Sequence, residues 1–258
     1  MSVAQAEPFH VEGGPVGVLL LHGFTGSPVS MRPWAEHLAK QGWAVNVPLL
    51  PGHSTGWQQL NKTRWHDWYA EASRAFDLLR VRCEHVVVAG LSMGGTLALR
   101  LAEQRAETVA GLVLVNPSVS STHKRLIAVP LLKHLVGSLA GIGNDIKMPG
   151  VDEHCYERVP LKALDSLRSA WKVTCNDLPK ITSPLLLFRS VEDHVVEPLS
   201  AQLITQRVSS RDVSERLLAD SYHVATLDND AASIFSLSAR FIARTCDRRL
   251  LRTDRHAV

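Results

Sequence analysis

The sequence predicts an α/β protein, a mostly parallel central sheet flanked by helices, with one inserted helical lid. Three observations predict it. Apolar runs of strand length alternate with stretches of helical period along most of the chain. The clearest runs, Val16 to Leu21 and Val109 to Val115, carry almost no polar residue, as strands buried on both faces do. The alternation lapses once, from Ser118 to Lys180, and then resumes.

Taken in order, Val16 to Leu21 is a strand, broken by His22-Gly23-Phe24-Thr25-Gly26. A helix follows, with Trp34 and Leu38, and Ala35 and Ala39, spaced i, i+4 and Gly42 as its stop. Trp43 to Val47 is the next strand, and Pro48 to Gly56 is a loop. From Trp65 to Arg82, residues Trp68, Ala72, Ala75, Phe76 and Leu79 share a helical face. His85 to Ala89 is a strand, Gly90 to Gly95 a tight turn, and Thr96 to Glu103 a helix. Val109 to Val115 ends at Asn116-Pro117. Ser118 to Lys180 has no clear strand, and an unstructured loop of that length is rare inside a compact domain. It is therefore read as a lid, inserted into a core of residues 1–117 and 181–258. Leu185 to Phe188, a helix, Val213 to Leu218 and a last helix from about Asp230 to Ala243 complete the core.

Composition narrows the classes of function. With 258 residues, 45% of them hydrophobic and 21% charged, this is an ordinary globular chain. A net charge of +3 is too weak to argue for a nucleic-acid partner. Arg248, Arg249, Arg252 and Arg255 gather near the C-terminus and read as a solvated end. The four cysteines form no C-x-x-C pair or zinc spacing and read as reduced thiols of a cytoplasmic protein. No metal and no cofactor is expected. Neither a signal peptide nor a membrane span is visible.

Gly90-Leu91-Ser92-Met93-Gly94 matches Gly-x-Ser-x-Gly, between a predicted strand and a predicted helix. That context makes Ser92 a candidate nucleophile on a sharp turn. The helix N-terminus behind it favours the negative charge that develops on attack. The backbone N–H after the nucleophile, that of Met93, is one candidate oxyanion donor. Phe24, in the Gly-rich loop after the first long strand, supplies the second. His22 reads as a structural residue.

A serine hydroxyl needs a base. Of the twelve histidines, His223 follows the last strand and precedes the last helix. His123, His134 and His154 fall in the lid, and His256 in the tail. The acid is expected after Leu185 to Phe188, where Asp193 is preferred to its neighbour Glu192. His194 reads as a packing neighbour. The order Ser92, Asp193, His223 is that of a hydrolase on an α/β sheet.

These motifs carry a resemblance. With Pro51-Gly52-His53, His66-Asp67-Trp68, Glu192-Asp193-His194-Val195-Val196 and Ser221-Tyr222-His223-Val224-Ala225-Thr226, the chain resembles bacterial monoacylglycerol lipases and thermostable carboxylesterases. These have the α/β-hydrolase fold, and the likeness spans nearly the whole chain. It implies a Ser92, Asp193, His223 triad, an oxyanion hole at Phe24 and Met93, and cleavage of monoacylglycerols or medium-chain esters. Asn144-Asp145-Ile146-Lys147 and Tyr156-Glu157 resemble the lid that lines the site there. Ile146 would shape the acyl channel and Glu157 would bind a glycerol hydroxyl. Ser118 to Leu139 departs most from the family.

Other readings stay open on the same residues. A thioesterase or peptidase could use the same fold. An Asp-nucleophile enzyme is disfavoured by Ser92 at the elbow, and a non-catalytic receptor by the intact triad. Val129 to Leu139 is the best stretch for transient contact with lipid aggregates, with a buried lid helix as the plainer account.

Overall fold

The computed structural model describes residues 6–141 and 143–253, with side chains to 247. The four C-terminal arginines singled out above lie outside the described side chains. Seven strands form one sheet. They are β1 (Phe9–Val11), β2 (Val16–Leu21), β3 (Ala44–Val47), β4 (His85–Leu91), β5 (Val109–Val115), β8 (Leu185–Ser190) and β9 (Val213–Leu218). Their order is β1-β3-β2-β4-β5-β8-β9, parallel throughout except for the β1–β3 pair.

The period of two along each strand divides the core between the two faces of the sheet. Leu19, Leu21, Val86, Val88, Leu112, Leu114, Leu185 and Leu187 belong to one buried cluster. It also takes in α2 (Trp57–Leu60), α3 (Trp65–Arg82), α4 (Met93–Gln104), α6 (Leu161–Asp177) and α7 (Leu199–Arg207). The alternate residues Val18, Leu20, Val87, Ala89, Val113, Val115, Leu186 and Phe188 join the other cluster. There they meet α1 (Arg32–Ala39) and α8 (Ala231–Thr253). The predicted fold class therefore holds, and both faces are covered as parallel strands require.

Four details differ from expectation. β1 was not foreseen, because three residues at an edge give too short a pattern to read. α4 begins at Met93 rather than Thr96, since the helix opens directly after Ser92. The last helix continues past Ala243 to Thr253, with Thr245 and Cys246 still buried on its inner face. Finally, the segment 118–180 does contain strands. β6 (Ser138–Ala140) and β7 (Arg158–Pro160) form a small antiparallel ribbon, alongside the short helix α5 (Val129–Leu132) and α6.

α6 belongs as much to the core as to the insertion. Ala163, Leu167 and Ala170 are buried in the same cluster as α3 and α4. Its Ser166 hydroxyl accepts from the Trp65 N–H at 2.9 Å, which caps the start of α3. Arg100 on α4 reaches Asp177 at the end of α6 at 2.6 Å and Glu103 at 2.7 Å. Burial pushes the Glu103 carboxyl up to about 8, against the pull of Arg100.

Candidate active site

Ser92 stands at the C-terminal end of β4, in backbone that side chains rarely adopt, with φ 54° and ψ −116°. The neighbouring glycines make this turn possible. A Cβ on Gly94 would lie 1.9 Å from the Leu21 carbonyl oxygen, and one on Gly90 would lie 2.3 Å from the Gly94 backbone. Strain of this kind persists only where the surroundings fix it. Here the Ser92 N–H donates to the Val115 carbonyl at 3.0 Å, and the Ser118 and Thr96 N–H groups donate to the Ser92 carbonyl, both at 3.2 Å.

Met93 is the first residue of α4, so its N–H has no intrahelical acceptor. The loop of Phe24 runs beside it: a Cβ on Gly23 would be 3.5 Å from the Ser92 Cβ. Behind that loop His22 is fully buried. Its Nε2 accepts from the Leu50 N–H at 3.2 Å, and its Nδ1 lies 3.0 Å from the Gly23 carbonyl. Burial lowers its pKa to about 4, so it is neutral and its Nδ1–H is the donor. His22 thus braces the loop of Phe24, in keeping with its structural reading. The Phe24 ring packs on Trp68 and His53, with centroids 5.7 and 6.4 Å away.

Asp193 and His223 come from the loops after β8 and β9, on the same sheet edge. The Asp193 Oδ2 meets the His223 Nδ1 at 2.8 Å, with both side chains buried. Asp193 Oδ1 accepts from the Val195 and Val196 N–H groups at 2.8 and 2.7 Å. Burial alone would raise the Asp193 carboxyl. The charge and hydrogen bond of His223 and the two N–H groups outweigh it and hold the carboxyl below its usual range. Burial likewise disfavours protonated His223, but the facing Asp193 outweighs it and raises the imidazole above its ordinary value. Glu192 is exposed, and His194 lies at the surface against Asp145 and Glu192. The Ser92 hydroxyl has no hydrogen bond to His223 among the described residues; such contacts often close only around a substrate.

Several residues at this edge were not foreseen. Asn116, at the end of β5 with φ 44°, donates to the His223 carbonyl at 2.8 Å. It also donates to the Ser190 hydroxyl at 2.9 Å and accepts from the Ser190 N–H at 2.8 Å, tying three strand ends together. Its only sequence signal was the Asn-Pro step after a strand. Asp228 accepts from the Tyr222, Lys147 and Met148 N–H groups at 2.9, 2.7 and 2.9 Å.

The inserted segment crosses the same edge between residues 144 and 157. Ile146 is partly buried against the cluster that holds Val224 and Ala225. Glu157 is exposed, and its carbonyl accepts from the Gly141 N–H at 3.1 Å. The inward carboxylate is instead Glu153, which is buried and lies 3.7 Å from where a Cβ on Gly26 would sit. Burial raises its pKa. Tyr156 fastens this segment to the loop after β3. Its hydroxyl donates to the Gly52 carbonyl at 3.0 Å and accepts from the Thr55 and Gly56 N–H groups at 2.8 and 2.7 Å.

A strained serine at a strand–helix elbow, with an Asp–His pair on the adjoining strand ends, defines a hydrolase of the α/β-hydrolase fold. Residues 16–230 match the Hydrolase_4 family model, described as serine aminopeptidase, S33, and the chain belongs to that family. It is 44% identical over 241 residues to a thermostable monoacylglycerol lipase of Bacillus sp. (strain H-257), covering 93% of this chain and 95% of that one. A carboxylesterase of Bacillus subtilis (strain 168) is 26% identical, over 89% of this chain and 93% of the other. Among solved structures, one from work on LipS and LipT, two metagenome-derived lipolytic enzymes, superposes with a TM-score of 0.91. It is 38% identical, over 95% of this chain and 100% of that one.

Proposed function

We propose that this protein cleaves carboxylic esters, monoacylglycerols foremost, through a covalent acyl-enzyme on Ser92. The observation that carries the reading is the buried Asp193–His223 pair at 2.8 Å on the strand edge that holds the strained Ser92. In the first step the Ser92 oxygen attacks the ester carbonyl while His223 takes its proton. The Phe24 and Met93 N–H groups receive the oxyanion, and His223 returns the proton to the departing alcohol. Water, deprotonated by His223, then releases the acid. Asp193 holds the imidazole tautomer and stabilises the imidazolium.

The likeness to the Bacillus lipase supports a glycerol ester over other acyl donors. Ile146 is assigned to the acyl side. The glycerol-binding role that the resemblance gives to Glu157 fits Glu153 better, since Glu153 is buried facing the oxyanion loop and Glu157 is exposed. Residues 118–180 act as the lid, with α6 as its fixed base. The exposed Ile127, Leu131 and Leu135 on that lid would meet lipid aggregates. The chain is assigned to the cytoplasm on the spacing of its four cysteines, which suits reduced thiols.

The test is steady-state kinetics on p-nitrophenyl esters from acetate to laurate, with 1-monolauroylglycerol alongside. The proposal expects turnover of the glyceride at a kcat/KM at least comparable with that of the best simple ester. Turnover of short esters with none of the glyceride would leave a carboxylesterase and remove the role given to Glu153. Turnover of acyl thioesters alone would replace the substrate class.

A further inference from the structure

Asp145 lies in the inserted segment, yet its carboxylate grips the loop that carries the base. Its Oδ2 accepts from the His223 N–H at 3.1 Å and from the His194 N–H at 3.2 Å. Its Oδ1 meets the His194 Nδ1 at 2.8 Å. The main-chain carbonyl of the same residue accepts from the Val224 N–H at 3.0 Å. Two successive peptide N–H groups, at residues 223 and 224, therefore end on one residue. The Asp145 side chain is only 9% exposed, so its charge is largely dehydrated and the bonds it accepts are strong ones.

The Asp193 contact fixes the ring of His223 at Nδ1 but leaves its main chain unfixed. How far Nε2 reaches toward Ser92 depends on where that main chain sits. Asn116 holds the His223 carbonyl, and Asp145 holds the N–H on the other side of the residue. The placement of Asp145 is itself enforced. Asn144, just before it, has φ 56°. It is locked to Glu153 by two hydrogen bonds, Glu153 N–H to Asn144 Oδ1 at 2.8 Å and Asn144 N–H to Glu153 Oε1 at 3.2 Å. Just after it, Lys147 and Met148 are held by Asp228, which also holds Tyr222.

We infer that Asp145 is a positioning residue for the catalytic base: it anchors the His223 backbone from the inserted segment, so that docking of residues 144–148 completes the triad. The inference rests on His223 being that base. It also makes residues 144–148 a fixed part of the site and not a flap that opens over it.

Charge offers a readout that a merely structural role would not move. His223 faces the carboxylates of Asp193, Glu153 and Asp145, and Asp145 also faces His194, behind which lies Glu192. Lys147, paired with Asp220, lies over the Tyr222 ring. Removing the Asp145 charge takes away one anion that favours protonated His223. The acid limb of the kcat/KM profile, where His223 gives up its proton, must then move to lower pH.

The experiment compares Asp145→Asn and Asp145→Ala with the unmodified protein. It measures kcat and KM for p-nitrophenyl butyrate across pH, and follows His223 by NMR titration of histidine-labelled protein. For Asp145→Ala the expected result is a kcat loss of about 30- to 100-fold with KM little changed, the penalty of a misplaced catalytic group. For Asp145→Asn, which keeps the shape, it is a smaller loss with the acid limb and the His223 titration both moved to lower pH. Should Asp145→Ala fail to fold, Asp145→Asn carries the test. Variants with unchanged kcat and an unmoved His223 titration, even if less stable, would overturn the inference. If the unmodified protein cleaves no ester, the functional proposal fails separately. The NMR titration then still decides whether Asp145 acts on His223.

Discussion

At the scale of single residues the site is built from conformations that few side chains tolerate. Thr25, Ser92, Asn116 and Asn144 all have positive φ and all lie in loops that converge on one sheet edge. Gly94→Ala would drive a methyl group into the Leu21 carbonyl. It is expected to cost about 3 kcal/mol or more of stability, as overpacking in a rigid site does, measurable by thermal denaturation. The His223 imidazole must be neutral to take the Ser92 proton, and the net pull of Asp193 raises its pKa. Esterase activity should therefore fall as pH drops through a value above the ordinary imidazole range, near 6.5. Asp193→Asn should move that limb down and lower kcat. The positions proposed for the triad were legible because each follows a strand in an expected order. Asn116, Asp145 and Asp228 were not legible. Their partners lie 74 to 107 residues away for Asn116, 49 to 78 for Asp145 and up to 81 for Asp228. No local pattern marks a side chain whose hydrogen bonds reach so far along the chain.

At the scale of elements, the strands were read well because burial on both faces leaves an unmistakable apolar run. The lapses were at ends and edges: β1 is too short to show a period, and α8 outlasts the clear part of its pattern. The insertion was harder still, because its ribbon strands are short and half exposed. Its firmest join to the core is α6. The Arg100 side chain, 12% exposed, links Glu103 and Asp177 across α4 and α6. Arg100→Met would leave the Glu103 carboxyl, fully buried and pushed up to about 8, protonated and without its Arg100 partner. Leaving a buried polar group without its partner costs about 1–3 kcal/mol, or roughly 2–12 °C in Tm at 2–4 °C per kcal/mol for a domain near this size. A change of less than about 2 °C would show that the pair contributes little.

At the scale of the whole molecule, the proposed function puts chemistry and substrate capture on different surfaces. The sheet edge holds Ser92, Asp193 and His223, the proposed reacting groups. The outer face of the insertion leaves Ile127, Leu131 and Leu135 more than 70% exposed, close to Lys124 and Arg125. Glu197 and Asp165 reach Thr122 and Lys133 here from other elements, so the proposed contact with lipid rests on the exposed apolar side chains with Lys124 and Arg125. Leu131→Glu with Leu135→Glu should weaken binding to phosphatidylglycerol vesicles by about tenfold or more, given what each buried leucine contributes. Cosedimentation measures this. Turnover of a glyceride presented in those vesicles should fall with it, more than turnover of a monomeric ester.

In the proposed mechanism Ser92 forms a covalent intermediate with the help of His223. Its most direct measurement is intact-protein and peptide mass spectrometry after incubation with an alkyl fluorophosphonate. One adduct per chain is expected, mapped to Ser92, formed with loss of esterase activity and slowed by orders of magnitude in His223→Ala. No adduct, or one mapped to another serine, would contradict it.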